Sequence, residues 1–145
     1  MIHFVEKFNE RFGLPDGSKD VLTGNQEVID YRANFMEEEL KEFKDAMAEG
    51  DRVKAFDALL DLVYVAQGTA LFMGVNGGQW INGYAAVHKA NMAKVPTPSA
   101  ACSKRNSSFD VIKPPGWTGP EARLTAILFE GDIQKVVGDL GGEDE

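Results

Sequence analysis

Apolar residues recur at helical spacing along most of this chain, which is the pattern of an all-α protein. Four apolar residues and a glycine that stops the helix form the first stripe: Ile2, Val5, Phe8, Phe12 and Gly13. This stripe predicts a first helix over residues 2–12. Later stripes predict helices over 26–49 and 52–73, a fourth between Asn76 and Pro96, and a fifth from Pro120 to about Phe129. Val111 and Ile112 are expected to form a short extended piece.

The second and third predicted helices are joined almost without a loop. Gly50 is the type of residue that ends a helix, and Asp51 is a suitable N-cap for the next one. So short a link requires the two helices to lie antiparallel. The segment 59–73 is apolar on nearly every side, which is typical of a central helix. We therefore predict a bundle of four to five helices around an antiparallel central hairpin.

A group of glutamates occupies the second predicted helix. With about 100° per residue and Val28 set at zero, Glu39 lies near 20°, inside the apolar face. On the same wheel Glu42 and Glu38 lie along one edge of that face, and Glu37 points to the opposite side. Ionised carboxylates on an apolar face are costly unless positive charge meets them. The pattern predicts that a cation neutralises three of these four acids.

The third predicted helix carries two more acids, Asp57 and Asp61, which are four residues apart and share one face. We expect them to face the interior. Antiparallel packing would bring Glu42 near Asp57, and Glu38 and Glu39 near Asp61. Such an oxygen-rich pocket suits hard cations such as Mg²⁺ or Mn²⁺. The alternative is ordinary surface charge, because glutamate-rich helix faces are common.

Length, charge and cysteine content limit the possible domain organisation, binding partners and cellular location of the protein. At 145 residues we expect one domain over 1–130, followed by an acidic, flexible tail over 131–145. The net charge of −8 disfavours binding to nucleic acid or to an anionic membrane. A single cysteine, Cys102, predicts a reducing compartment. Charges interrupt the first apolar stripe, so we do not expect a signal peptide there. The apolar part of the third helix is too short and too interrupted to be expected to span a bilayer. The expected location is the cytoplasm.

Two polar residues interrupt the apolar stripe of the fourth predicted helix. Asn91 and Lys94 follow Trp80, Tyr84 and Val87 on the same face. Asn91 is either a core amide or a ligand contact. Lys94 is either a cation at the helix end, which suits the helix dipole, or a group that neutralises a phosphate chain.

Five segments occur here in an order that resembles the all-α nucleoside triphosphate pyrophosphohydrolases. They are E-E-L-K-E at 38–42, D-A-L-L-D-L-V-Y-V at 57–65, G-T-A at 68–70, V-H-K-A-N-M-A-K at 87–94 and V-I-K-P-P-G-W at 111–117. The superfamily includes MazG, dimeric dUTPases and phosphoribosyl-ATP pyrophosphohydrolase. The chain is most similar to its small phage and bacterial MazG-like members, and the resemblance covers most of residues 2–128.

The resemblance implies hydrolysis of a (d)NTP between the α and β phosphates, which yields a (d)NMP and pyrophosphate in control of nucleotide pools. It assigns Glu38, Glu39, Glu42 and Asp61 to metal binding, with two or three Mg²⁺ or Mn²⁺ ions. Asp57 joins this set, although it stands four residues before Asp61 where many members have an acid three before. Glu38 or Glu39 would orient the attacking water.

The same resemblance places Asn91 and Lys94 near the phosphates. Lys113 and Trp117 are further candidates for substrate contacts. Trp117 either packs within the fold or stacks on a base. Family members are dimers or higher oligomers, so we expect a homodimer at least, in the host cytoplasm if the protein is phage-encoded.

Three functions remain open at this point. The leading one is the (d)NTP pyrophosphohydrolase, with purine selectivity as one form of it. The second is a phosphoribosyl-ATP pyrophosphohydrolase, which would perform the same chemistry on a different nucleotide. The third is an inactive acidic helical module that binds a protein partner.

Overall fold

The computed structural model describes residues 1–129, and the predicted acidic tail over 131–145 lies outside them. Most of the described residues are helical, which confirms the all-α prediction. They contain five α-helices, two short strands and one turn of 3₁₀-helix. The helices are α1 (Ile2–Phe12), α2 (Gln26–Glu49), α3 (Arg52–Phe72), α4 (Gly77–Met92) and α5 (Glu121–Phe129). The chain divides into two compact units, Met1–Trp80 and a second that begins at Ile81.

In the first unit, α2 and α3 form the predicted antiparallel hairpin. The Asn25 side chain caps α2 by accepting from the Val28 amide. Gly50 ends α2 in the left-handed conformation, with φ of 73°. The Asp51 carboxylate then accepts from the Val53 and Lys54 amides at 3.1 and 3.0 Å. These local signals end one helix and start the next within two residues.

The apolar core of the first unit lies where α1 crosses α3. Ile2, Val5 and Leu71 are buried together, and Tyr64 and Trp80 pack against them. Small residues of α3 are also buried, which allows its neighbours to approach closely: Ala55, Ala58 and Ala70. The C-terminal half of α3 is therefore largely enclosed, whereas one side of its N-terminal half remains open.

The apolar character of α3 raises the question of a membrane. Within residues 1–129 it is the one helix long and apolar enough to cross a bilayer, with mean hydropathy 1.3, and half of that stretch is buried. The expectation of a short span concerned only the apolar part of this helix, whereas the whole helix of 21 residues is long enough. A single such helix is weak evidence for a membrane span, because the core helix of a soluble protein passes the same test.

The predicted loop between α1 and α2 is fastened to the end of α3. Asp20 forms an isolated antiparallel bridge with Met73, and the Val21 amide donates to the Phe72 carbonyl at 2.9 Å. Gly74 permits this approach, since a Cβ there would lie 2.8 Å from the Asp20 nitrogen. The loop is thus an ordered connection.

A capping box is present at the start of α4. The Asn76 side chain accepts from the Gln79 amide, and the Gln79 side chain accepts from the Asn76 amide, both at 3.0 Å. The predicted apolar stripe of α4 is not buried, however. Tyr84 is 69% exposed and Val87 is 37% exposed.

In the second unit, the predicted extended piece is strand β2 (Val111–Ile112), and its partner β1 (Val95–Pro96) was not predicted. The strands pair antiparallel and enclose the segment 97–110. Within it, the Asp110 carboxylate accepts from the Ser103 hydroxyl at 2.6 Å and from Arg105 at 2.7 Å. These bonds lower the pKa of Asp110 to about 2, with the Ser103 contribution the larger.

Candidate active site

Glu39 lies on the buried face of α2, as the helical wheel predicts. Its exposed fraction is 8%, and the other buried residues of this helix, Arg32 and Ala46, stand seven positions before and after it. Seven residues are about two helical turns, so the three share one face. Glu37 is exposed on the opposite side. The helix thus buries the carboxylate of Glu39 and leaves that of Glu37 in solvent.

The buried carboxylate of Glu39 is incompletely satisfied. Its Oε2 atom is buried and has no hydrogen-bond partner. Burial raises the pKa of Glu39, and the negative charges of four further acids raise it more, in the order Glu42, Asp61, Glu38 and Asp57. These four are the acids that the sequence placed with Glu39. Their charges converge on it from both helices of the hairpin.

The other four acids are exposed in the single chain. The expectation that Asp57 and Asp61 face the interior was therefore wrong. Neighbouring helices cover α3 on the side of Ala55 and Ala58, and the two aspartates stand beyond the edge of that contact. Across residues 1–129, no three acidic, histidine or cysteine side chains are gathered closely enough to hold one metal ion.

The ion pairs of the nearby lysines are with other acids than these five, although the charge of Glu42 also raises the pKa of Lys41 after the larger effect of Asp45. Lys41 pairs with Asp45 at 2.6 Å. Lys54, the one cation at helical spacing from Asp57, lies 3.7 Å from Asp51 and 3.9 Å from Glu49. The unpaired Glu39 oxygen and the oxygen-only donors around it suit a hard cation such as Mg²⁺ or Mn²⁺, so the residues present fit that group in charge and in donor type.

The proposed phosphate and base contacts belong to the second unit. Trp117 is half-buried, and its indole N–H donates to the Ala90 carbonyl at 2.7 Å. The ammonium groups of Lys113 and Lys94 lie 4.3 and 5.7 Å from the Trp117 ring centroid. Asn91 is exposed. Trp117 therefore has a packing role and brings two cations to one ring.

Arg32 is a buried charged residue that the sequence reasoning missed. It is 7% exposed and bonds to α3. The helical wheel could have predicted this burial, because it places Arg32 near 40° and Glu39 near 20°, both inside the apolar face. A cation at that angle falls on the apolar face and requires a partner, as the acid does.

This hairpin carries the five acids that the resemblance to the all-α nucleoside triphosphate pyrophosphohydrolases assigns to metal binding. The family model described as phosphoribosyl-ATP pyrophosphohydrolase matches residues 5–91, more than half of the chain. The chain belongs to this family. The match includes the five acids and Asn91 but ends before Lys94, Lys113 and Trp117. A comparison with curated proteins finds no match.

Proposed function

We propose that this protein is a Mg²⁺-dependent nucleotide pyrophosphohydrolase that cleaves a (d)NTP between its α and β phosphates. It would release a (d)NMP and pyrophosphate in the cytoplasm. The supporting observation is the buried Oε2 atom of Glu39, which has no hydrogen-bond partner and lies in the field of four other acids. Membership of a pyrophosphohydrolase family supplies the reaction class.

The metal ligands in this proposal are Glu38, Glu39, Glu42, Asp57 and Asp61. A bound divalent ion neutralises a polyphosphate and lowers the pKa of a coordinated water. The burial of Glu39 keeps water from one carboxylate oxygen and leaves that oxygen without a hydrogen-bond partner. The other four acids are exposed and therefore accessible to an arriving ion. Glu38 or Glu39 would orient the attacking water as a general base.

The substrate contacts in this proposal are Asn91, Lys94 and Lys113. Two ammonium groups near one indole ring concentrate positive charge, and a phosphate chain is a suitable counterion. The hydrogen bond from the Trp117 indole N–H to the Ala90 carbonyl holds the ring in place. We propose that the ring in turn positions the two ammonium groups. Stacking of a base on the Trp117 ring is the alternative role of this side chain.

Phosphoribosyl-ATP is the second candidate substrate, and the description of the matching family favours it. Hydrolysis of its α–β anhydride bond also releases pyrophosphate, so the acid cluster serves either reaction. The substrates differ in the group attached to the nucleotide base. Product chromatography with a panel of NTPs, dNTPs and phosphoribosyl-ATP separates the two.

The decisive experiment compares two glutamine variants of the same helix. Metal-stripped protein is incubated with each nucleotide, with and without Mg²⁺, and products are separated chromatographically. We expect pyrophosphate only with Mg²⁺. Glu39→Gln should lose about a hundredfold or more in turnover, whereas Glu37→Gln, which is exposed on the opposite side of α2, should keep it. Absence of turnover on every nucleotide would leave the interaction module as the surviving hypothesis.

We also propose that two copies associate through α3. Four apolar side chains on one side of this helix are 44% to 81% exposed: Val53, Phe56, Leu60 and Val63. Their spacing of three, four and three residues is that of a helix–helix seam. Asp57 and Asp61 lie beside this stripe, so a second copy would adjoin the acids and complete the site from the partner side.

Light scattering at micromolar concentration tests the association. Wild-type protein should have at least twice the monomer mass. Leu60→Glu should shift it to monomer, because the charge would enter the seam. Met47→Glu is the matched control, since Met47 on α2 is 53% exposed and Leu60 is 51% exposed. A wild-type monomer would rule out this association.

A further inference from the structure

Arg32 connects α2 to α3 by hydrogen bonds that carry its charge inside the protein. Its Nε donates to the Thr69 hydroxyl oxygen at 3.1 Å, and its Nη2 donates to the Val65 carbonyl at 2.9 Å. Its guanidinium also lies 4.9 Å from the Phe72 ring centroid and 5.4 Å from that of Phe35. Among the ion pairs of residues 1–129, none involves Arg32. On its own helix Arg32 contacts Tyr31, and its hydrogen bonds to α3 are directed at one turn of that helix.

That turn of α3 is shaped to receive the guanidinium. A Cβ at Gly68 would lie 3.1 Å from the Arg32 Nη2 atom, so glycine leaves the space that the side chain occupies. The Thr69 hydroxyl donates to the same Val65 carbonyl at 2.8 Å. Arginine suits this place because its planar fork bonds two separate acceptors at fixed angles, which lysine cannot reproduce.

The position of Arg32 along α3 determines what faces Glu39. Glu39 follows Arg32 by seven residues, about 10.5 Å along the helix. In the antiparallel α3, Asp61 precedes Val65 by one turn. A slip of one turn, about 5.4 Å, would bring different α3 residues opposite Glu39. Packing of small residues such as Ala46 and Ala58 gives little resistance to such a slip, whereas directed hydrogen bonds resist it.

We propose that Arg32 is a positioning residue that sets the axial register of α2 on α3 and so holds Glu39 among the acids of the hairpin. Its bonds to Val65 and Thr69 provide this register. The effect of this register on function rests on the proposed role of those acids in metal binding. The register itself is a property of the protein without metal, and it is tested separately.

A double-mutant cycle, measured by urea unfolding in EDTA, tests the register. Glu39→Gln removes a buried charge, and sites about 10 Å apart without a shared partner normally contribute additively. We expect this substitution to raise the free energy of unfolding in wild type and in the core variant Ile2→Val. In the Arg32→Met background, Glu39→Gln should raise the free energy of unfolding by no more than half as much as it does in wild type. Equal gains in all three backgrounds would overturn the proposal.

Two milder variants cover the case in which Arg32→Met fails to fold. Arg32→Lys keeps the charge and loses the fork, and Thr69→Val keeps Arg32 and removes one acceptor. In each of these backgrounds, Glu39→Gln should raise the free energy of unfolding by less than it does in wild type. A full gain in both would overturn the proposal, because neither variant retains the complete set of bonds.

Mn²⁺ titration followed by electron paramagnetic resonance tests the functional part. Loss of a group that orients metal ligands typically weakens binding 10- to 100-fold, so the dissociation constant should rise about tenfold or more in Arg32→Met. In Ile2→Val it should stay within about twofold. Unchanged affinity in Arg32→Met overturns the positioning role. A wild-type protein that binds no Mn²⁺ refutes the proposed function instead, and the unfolding cycle still decides the register.

Discussion

Glu37 and Glu39 stand two positions apart on α2 and have opposite surroundings. Glu37 is exposed, whereas Glu39 is buried and carries an oxygen without a hydrogen-bond partner. Burial and neighbouring negative charge raise the pKa of Glu39 above its ordinary value of 4.5. Folding therefore makes this carboxyl bind its proton more tightly. Without metal, Glu39 costs stability wherever it is ionised.

The stability of the metal-free protein should consequently depend on pH through Glu39. Because its folded pKa is raised, its favourable contribution is present below pH 4.5 and is lost as the pH rises through the folded pKa. Glu39→Gln should stabilise the protein by about 1 kcal/mol at pH 8, and the gain should vanish near pH 4. Urea unfolding in EDTA measures both. Glu37→Gln is the control, and an identical gain there would attribute the effect to net charge.

The helices themselves were predictable because their signals are local. An apolar period, a capping side chain and a glycine stop lie within a few residues of each boundary, as around Gly50 and Asp51. The pairing of β1 with β2 was missed, since two residues per strand give no periodic signal and the partners are distant in sequence. Exposure of Asp61 and Tyr84 was missed for another reason. A pattern shows that a face is apolar or acidic, but not which neighbour covers it.

Gly50 gives the sharpest test of the hairpin link. Its φ of 73° is left-handed, and a Cβ there would meet no atom within 4 Å. Gly50→Ala should therefore destabilise the protein by about 1 kcal/mol through backbone strain alone. Gly50→Asn should lose less, because asparagine tolerates this conformation. Thermal unfolding of both variants checks the ranking, and equal losses would contradict the conformational explanation.

At the scale of the whole molecule, 23 acidic and 15 basic residues leave a net charge of −8. Part of that excess is concentrated on the α2–α3 hairpin, around Glu39. The like charges repel one another in the folded state. A cation that binds there would relieve this repulsion and favour folding.

Mg²⁺ should therefore raise the melting temperature of the wild-type protein. A ligand at 100 times its dissociation constant stabilises by about 2.7 kcal/mol when it binds only the folded state. NaCl at equal ionic strength should produce a much smaller shift, because general screening does not replace coordination. Differential scanning calorimetry provides the measurement. Equal shifts with the two salts, or a full Mg²⁺ shift in Glu39→Gln, would argue against a specific site.

The paired strands β1 and β2 have a practical consequence. Val95 pairs with Ile112 and Pro96 with Val111, so the excursion over 97–110 leaves and returns at the same place. Cys102, the single cysteine of the sequence, is exposed on this excursion. A maleimide dye would therefore attach at one defined position without mutagenesis. Fluorescence anisotropy of that dye offers a direct way to follow tumbling, and so assembly, of the otherwise unaltered protein.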